Sequence, residues 1–113
     1  MQHRDKIILN KVISEIKIGL DLLGETTFEE FKENELLKRA ICMTVVNIGE
    51  LVKSLSDETR TEYPKILWKD IAGMRDVTAH KYQTLKMEDV YNTVKYDFSN
   101  LCKQLEEIVE VGR

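Results

Sequence analysis

The apolar residues of this chain recur at alternating intervals of four and three, and over most of its length that spacing fits one backbone geometry. Leu9, Ile13, Ile16, Leu20 and Leu23 form the first series. Leu37, Ile41, Thr44, Ile48, Leu51 and Leu55 form a second, and Tyr91, Val94, Phe98, Leu101, Leu105 and Ile108 the last. Residues spaced this way line one side of an α-helix, whereas a strand would show a period of two. A shorter series, Leu67, Ile71, Met74 and Val77 or Thr78, predicts a further helix over residues 67–80. The long helices after the first are predicted over residues 35–56 and 87–110.

Punctuation between the series agrees with this reading. Gly24 stands where a helix-terminating glycine belongs, and Thr27 and Asn34 stand where N-caps belong. Residues 25–33 read as a short acidic turn or helix on solvated surface. Ser56-Asp57-Glu58 either closes the second long helix or opens a short extension. Pro64 marks a break, because the residue before a proline avoids helical geometry. The apolar pattern lapses around Lys81–Lys86. A chain of 113 residues supports one hydrophobic core. The expectation is a single all-α domain over residues 1–113, an antiparallel four- to five-helix bundle with short loops. Trp68 and the methionines are assigned to its core.

Charge and cysteine usage narrow the function classes. A formal charge of -3 excludes binding to nucleic acid through bulk positive charge, so any RNA contact must use a local patch. No apolar run is long enough to span a membrane. The N-terminus MQHRDKIILNK lacks the apolar segment of a secretory signal, which predicts a cytoplasmic protein. Cys42 and Cys102 lack the paired spacing of zinc ligands, so no metal and no cofactor is expected, and both read as buried free thiols. His3 and Arg4 show no pattern that specifies a second site.

Bundles host unrelated activities, so function must come from polar residues that the fold does not need. One constellation qualifies: Met74-Arg75-Asp76-Val77-Thr78-Ala79-His80-Lys81-Tyr82, which reads R-x4-H-x-Y. In a chain of this composition R-x4-H alone is expected about 0.09 times, so the pattern is more specific than a lone histidine.

The motif and its surroundings resemble the HEPN ribonuclease superfamily, and within it the HepT-like toxins. Asn47-Ile48-Gly49-Glu50-Leu51-Val52-Lys53-Ser54-Leu55-Ser56 is similar to that family's "IGE…LS" helix. Tyr63-Pro64, Ile66 and Trp68-Lys69-Asp70-Ile71-Ala72-Gly73-Met74-Arg75-Asp76 are similar to its "P-x-I-x-W…IAGMRD" lead-in. The resemblance covers residues 36–105, and the first helix is similar only in pattern. After the tyrosine this chain carries Gln83-Thr84-Leu85-Lys86, where many members have an aromatic-glycine turn and an acidic residue. Asp76 occupies a position that is Asn in many HEPN proteins.

The resemblance implies metal-independent RNA cleavage at a homodimer interface, by attack of a 2′-hydroxyl on the adjacent phosphate. Histidine suits proton transfer near neutral pH, which makes His80 the candidate acid or base. A planar guanidinium matches phosphate oxygens two at a time, which makes Arg75 the candidate for stabilising charge on phosphorus. Asp76 is a candidate to orient either. Positions five apart on an ideal helix differ by about 140° in direction, so Arg75 is expected to diverge from its own His80 unless the helix frays. Two copies about a twofold axis would then combine both pairs in one cleft. Tyr82 shares a face with Arg75 if the helix persists. The resemblance implies that a partner nucleotidyltransferase antitoxin adenylylates Tyr82, which would block RNA by bulk and charge.

Plainer readings stand beside these. His80 could be a helix-end histidine near the negative end of the dipole, Arg75 a surface ion-pair residue and Tyr82 a loop anchor. Glu50 is a candidate buttress for Arg75 or one half of a rim salt bridge. Asn47 is a candidate for site support. Lys69, Lys81 and Lys86 offer either a local basic patch for RNA or a solvated face. The alternative function is a catalytically inactive HEPN module that partners a nucleotidyltransferase, and a third is a plain structural bundle.

Overall fold

Local capping chemistry sets most of the helix ends. In the computed structural model, which describes residues 1–111, α1 runs His3–Leu23. Gly24 closes it with φ at 50°, a conformation that a side chain would strain, and its N–H donates to the Leu20 carbonyl. A capping box opens α2 (Phe28–Glu33): Thr27 Oγ1 accepts from the Glu30 N–H, and the Glu30 carboxylate accepts from the Thr27 N–H. The Asn34 side chain accepts from the Leu37 N–H to open α3 (Glu35–Lys53). Ser56 likewise opens α4 (Asp57–Glu62) by accepting from the Thr59 N–H. After Pro64 come α5 (Trp68–His80), a 3₁₀ turn at Tyr82–Thr84, and α6 (Met87–Asn92). A π-helical stretch at Thr93–Asp97 joins α6 to α7 (Phe98–Val111). Among the described residues there is no strand, and no helix is long and apolar enough to cross a membrane.

The all-α bundle is the expected one, with three local differences. The second long helix stops at Lys53, because the chain turns at Ser54 and Leu55 so that Ser56 can cap α4. The last long helix contains the π stretch. The methionines do not all enter the core. Met43 is 59% exposed, since it lies about 200° around α3 from the buried Ile41 and Val45.

Contacts fix the helix directions. Asp5 of α1 meets Ser56 beyond the end of α3, and Gly19 of α1 approaches Thr44, so α1 and α3 run antiparallel. Lys17 pairs with Glu106, while Lys95 reaches the Gly24 carbonyl, so α7 also runs against α1. Leu9, Val12 and Ile16 meet Ile41, Val45, Ile48 and Val52, together with Val94, Phe98 and Leu105, in one buried core. Each such side chain contributes about 1.5–3 kcal/mol. Tyr91 and Trp68 are buried with their polar ends satisfied. The Tyr91 hydroxyl donates to the Thr26 carbonyl at 2.6 Å, and Trp68 Nε1–H donates to the Tyr63 carbonyl at 3.0 Å. Cys42 and Cys102 are buried free thiols, and burial pushes Cys42 up to about 11.

Asp5 is a buried carboxylate that ties the start of α1 to the cap of α4. It is fully buried and accepts from Ser56 Oγ at 2.5 Å, Thr59 Oγ1 at 2.6 Å and the Ser56 N–H at 3.3 Å. Burial alone would raise its pKa, but the bonds from Ser56 and Thr59 outweigh burial and hold it below the ordinary value. Asp5→Ala is expected to destabilise the fold by about 2–4 kcal/mol, because it strands two hydroxyls and a backbone N–H. A carboxyl whose folded pKa is lowered adds stability above its unfolded pKa of about 3.9 and loses it as pH falls through the folded value. Thermal melts of the wild type are therefore expected to drop below about pH 4 more steeply than those of Asp5→Asn. Parallel acid profiles would contradict this role.

Candidate functional site

The site is built where α5 crosses α3. The two helices run antiparallel: Tyr82, just past the end of α5, reaches Glu35 and Arg39 near the start of α3, while Arg75 lies over Gly49 and Asp76 beside Lys53 nearer its end. Gly49 permits the approach: a Cβ placed there would overlap the Arg75 Cβ and lie 2.9 Å from its Cγ. Of α5 only Trp68 and Thr78 are buried: of the two alternatives for the last seam position Thr78 faces inward and Val77 is 45% exposed, and Leu67, also read as a seam position, is 66% exposed. This helix is therefore presented on the bundle surface rather than sunk in its core.

Arg75 sits at the centre of a small polar cluster. Its Nη1–H groups donate to His80 Nε2 at 3.1 Å and to Asp76 Oδ1 at 3.3 Å. Its Nε is enclosed and makes an ion pair with the Glu50 carboxylate, without the alignment of a hydrogen bond. Lys53 Nζ donates to the same Asp76 oxygen at 2.5 Å. The Lys53 ammonium holds the Asp76 carboxyl below its usual range, with Arg75 adding to the effect. Arg75 thus has two carboxylate partners around its guanidinium, and His80 is exposed at the last turn of α5.

The expected divergence of Arg75 from its own His80 does not occur. The helix stays intact through His80, yet the long arginine side chain spans the gap between the two positions. A single chain therefore joins the pair. Tyr82 also departs from expectation. The helix ends at His80, Lys81 caps it, and Tyr82 begins the 3₁₀ turn, so Tyr82 does not continue the Arg75 face. Its ring lies under the Arg39 guanidinium at 5.3 Å, and its hydroxyl donates to Glu35 Oε1 at 3.5 Å. Burial, then the Glu35 charge, raises the pKa of this phenol.

Other candidates scatter. Asn47 lines a hollow between α1 and α3 with Lys11 and Ser14. Lys69 lies on the first turn of α5 near Asp57 and Arg60, while Lys81 and Lys86 flank the turn that carries Tyr82. All three lysines are exposed. Sequence reasoning missed Lys53, Glu35 and Arg39, whose roles depend on helix crossing alone. Gly49 did carry a signal: a glycine inside a helix costs about 1 kcal/mol against alanine and calls for a packing reason. Among the described residues, no three His, Cys, Asp or Glu side chains converge as metal ligands would.

Comparison with known proteins gives concordant results. The family model described as "Ribonuclease HepT-like" matches residues 12–108. A protein of Caldanaerobacter subterraneus subsp. tengcongensis named "Putative RNase" is 32% identical over 90% of this chain and 91% of its own length. A "Putative RNase" of Methanocaldococcus jannaschii is 32% identical over 97% of this chain and 96% of its own. A "Probable ribonuclease HepT" of Thermococcus cleftensis is 26% identical over 96% of this chain and 98% of its own. No solved structure matches the chain.

Proposed function

Because the chain belongs to the HepT-like ribonuclease family, we propose that it is a metal-independent endoribonuclease toxin whose reaction centre is the Arg75–His80 pair. The observation that carries this reading is the 3.1 Å contact between Arg75 and His80 on an exposed helix end, with Glu50 and Asp76 holding the arginine. The guanidinium occupies the Nε2 lone pair of His80 in this contact, and a phosphodiester that draws the guanidinium onto its own oxygens would release that nitrogen to act as a base. A phosphodiester seated on Arg75 would bring the neighbouring 2′-hydroxyl to that nitrogen. The 2′-oxygen forms a bond to phosphorus, the bond from phosphorus to the 5′-oxygen breaks, and the 2′-proton passes to His80. The departing 5′-oxygen takes a proton from water. The products are a 2′,3′-cyclic phosphate and a 5′-hydroxyl. The arginine offsets charge as it develops on the phosphoryl oxygens. Asp76 and Glu50 act by positioning Arg75, and among the described residues Asp76 makes no hydrogen bond or ion pair with His80.

A homodimer and regulation at Tyr82 complete the proposal. Leu67 and Val77 are apolar side chains exposed at either end of α5, which supports pairing with a second copy there. Since one chain already joins Arg75 to His80, the dimer would set two complete pairs in one cleft. Tyr82 lies two residues beyond His80, so an AMP added to its hydroxyl by a nucleotidyltransferase antitoxin would place bulk and negative charge beside the centre. The test is digestion of RNA by the purified chain in EDTA, with the ends mapped, its mass in solution measured and Tyr82 scanned for AMP after exposure to the antitoxin. Cyclic-phosphate ends, a dimeric mass and AMP on Tyr82 are expected. Ends bearing 5′-phosphate, or activity that EDTA abolishes, would overturn the reaction; a monomer active at full rate would remove the dimer; AMP elsewhere would remove Tyr82.

A further inference from the structure

The reaction centre handles one phosphodiester, but an endonuclease must also hold the strand on either side. Two shallow hollows adjoin between α1 and α3. One is lined by Glu50, the partner of Arg75, with Asn47 and Lys11, and the other by Lys11 with Arg4 and His3. Lys11 and Leu51 border both, so the two hollows lie end to end along a track between the helices.

Its chemistry changes along its length in a way that suits a single strand. Asn47 is half-buried and makes no side-chain hydrogen bond among the described residues, which leaves its amide donors and acceptor free. Lys11 is exposed and makes no ion pair among the described residues. Arg4 borders Asp5, but that carboxylate is fully buried and engaged with Ser56 and Thr59, and the Arg4 side chain is 61% exposed. Ile7, 43% exposed, and the half-buried Leu51 give the track an apolar floor. The acids along it are Glu15 and Glu50, and Glu50 is paired with Arg75. With an overall charge of -3 only a local patch can attract phosphate, and here the cations are Arg4 and Lys11, which share the end of the track away from Glu15 and Glu50.

We propose that this track between α1 and α3 binds single-stranded RNA flanking the scissile bond. Arg4 and Lys11 meet backbone phosphates, Ile7 and Leu51 support bases, and Asn47 hydrogen-bonds the nucleotide next to the centre. The inference rests on the ribonuclease reading and extends it to substrate binding. Phosphate and base contacts leave different signatures, since only the former release counterions.

The test uses a fluorescent 2′-O-methyl oligoribonucleotide, which lacks the attacking hydroxyl, and reads its binding to the full chain by anisotropy over a salt series. Arg4→Ala with Lys11→Ala is expected to weaken binding about tenfold and to lower the log–log salt slope by about one for each cation removed from a phosphate. Asn47→Ala is expected to weaken binding at unchanged slope. Lys103→Ala, on the exposed side of α7, is expected to bind as the wild type does. All four substituted residues are partly or fully exposed, and matching thermal melts establish folding. Wild-type affinity and slope in both track variants would overturn the proposal. Should the wild type cleave unmodified RNA while the track variants bind normally, the track alone is wrong. Should the wild type neither bind nor cleave, the ribonuclease reading fails and the track falls with it.

Discussion

Arg75→Ala is expected to cut RNA cleavage by about 10²–10³-fold while leaving the fold intact. The two halves of this expectation come from different parts of the side chain. Alanine keeps the Cβ that packs over Gly49, so the crossing of α3 and α5 persists. What disappears is the guanidinium, with its bonds to His80 and Asp76 and its ion pair with Glu50. Glu50 and Asp76 are half-exposed, so removing those ion pairs costs about 0–1 kcal/mol. In the proposed reaction, by contrast, the guanidinium is the cation that touches His80, and without it charge on the phosphoryl oxygens would go unmatched. Arg75→Lys keeps the charge but not the planar fork or the reach to His80, so it is expected to recover only part of the rate. Full activity in Arg75→Ala, measured on material with a wild-type melting temperature, would exclude Arg75 from the chemistry.

Gly49→Ala carries the second large effect, and its sign separates two kinds of reasoning. Helix propensity alone predicts stabilisation by about 1 kcal/mol, because alanine replaces glycine inside α3. The crossing predicts the opposite. The added methyl would overlap the Arg75 Cβ and lie 3.2 Å from its Cα, which is backbone and cannot swing aside. Overpacking of this kind costs about 1–3 kcal/mol and is relieved by pushing α5 away from α3. Since α5 carries both Arg75 and His80, a displacement of about 1 Å is expected to cost roughly 10²-fold in rate. Gly73 is the internal comparison: nothing lies within 4 Å of a Cβ placed there, so Gly73→Ala is expected to raise the melting temperature. A Gly49→Ala chain that melts higher than wild type and cleaves at full rate would contradict the close crossing.

The fold is legible in the sequence where information is local. The seams through Leu9, Ile41 and Leu105 and the caps at Thr27 and Asn34 each depend on residues within a turn or two of each other. The π stretch at Thr93–Asp97 leaves no mark, because its apolar spacing is still that of a helix. The site is legible as residue types and opaque as geometry. Angular position on the helix separates Arg75 from His80, but that measure places Cα atoms, and a side chain as long as arginine reaches across the gap. The face shared by Arg75 and Tyr82 required a helix that in fact ends before Tyr82. Nothing in the sequence marks Asp5 as buried, since its partners Ser56 and Thr59 come from the far end of the neighbouring hairpin.

Parallel digestion of total RNA in EDTA by wild type and His80→Ala, with the cleaved ends mapped, addresses the reaction centre most directly. The predicted result is 2′,3′-cyclic phosphate and 5′-hydroxyl ends from the wild type, and a rate lower by about 10²–10⁴-fold from His80→Ala. Equal cleavage by the two proteins, or none from a wild type shown to carry no AMP on Tyr82, would contradict it.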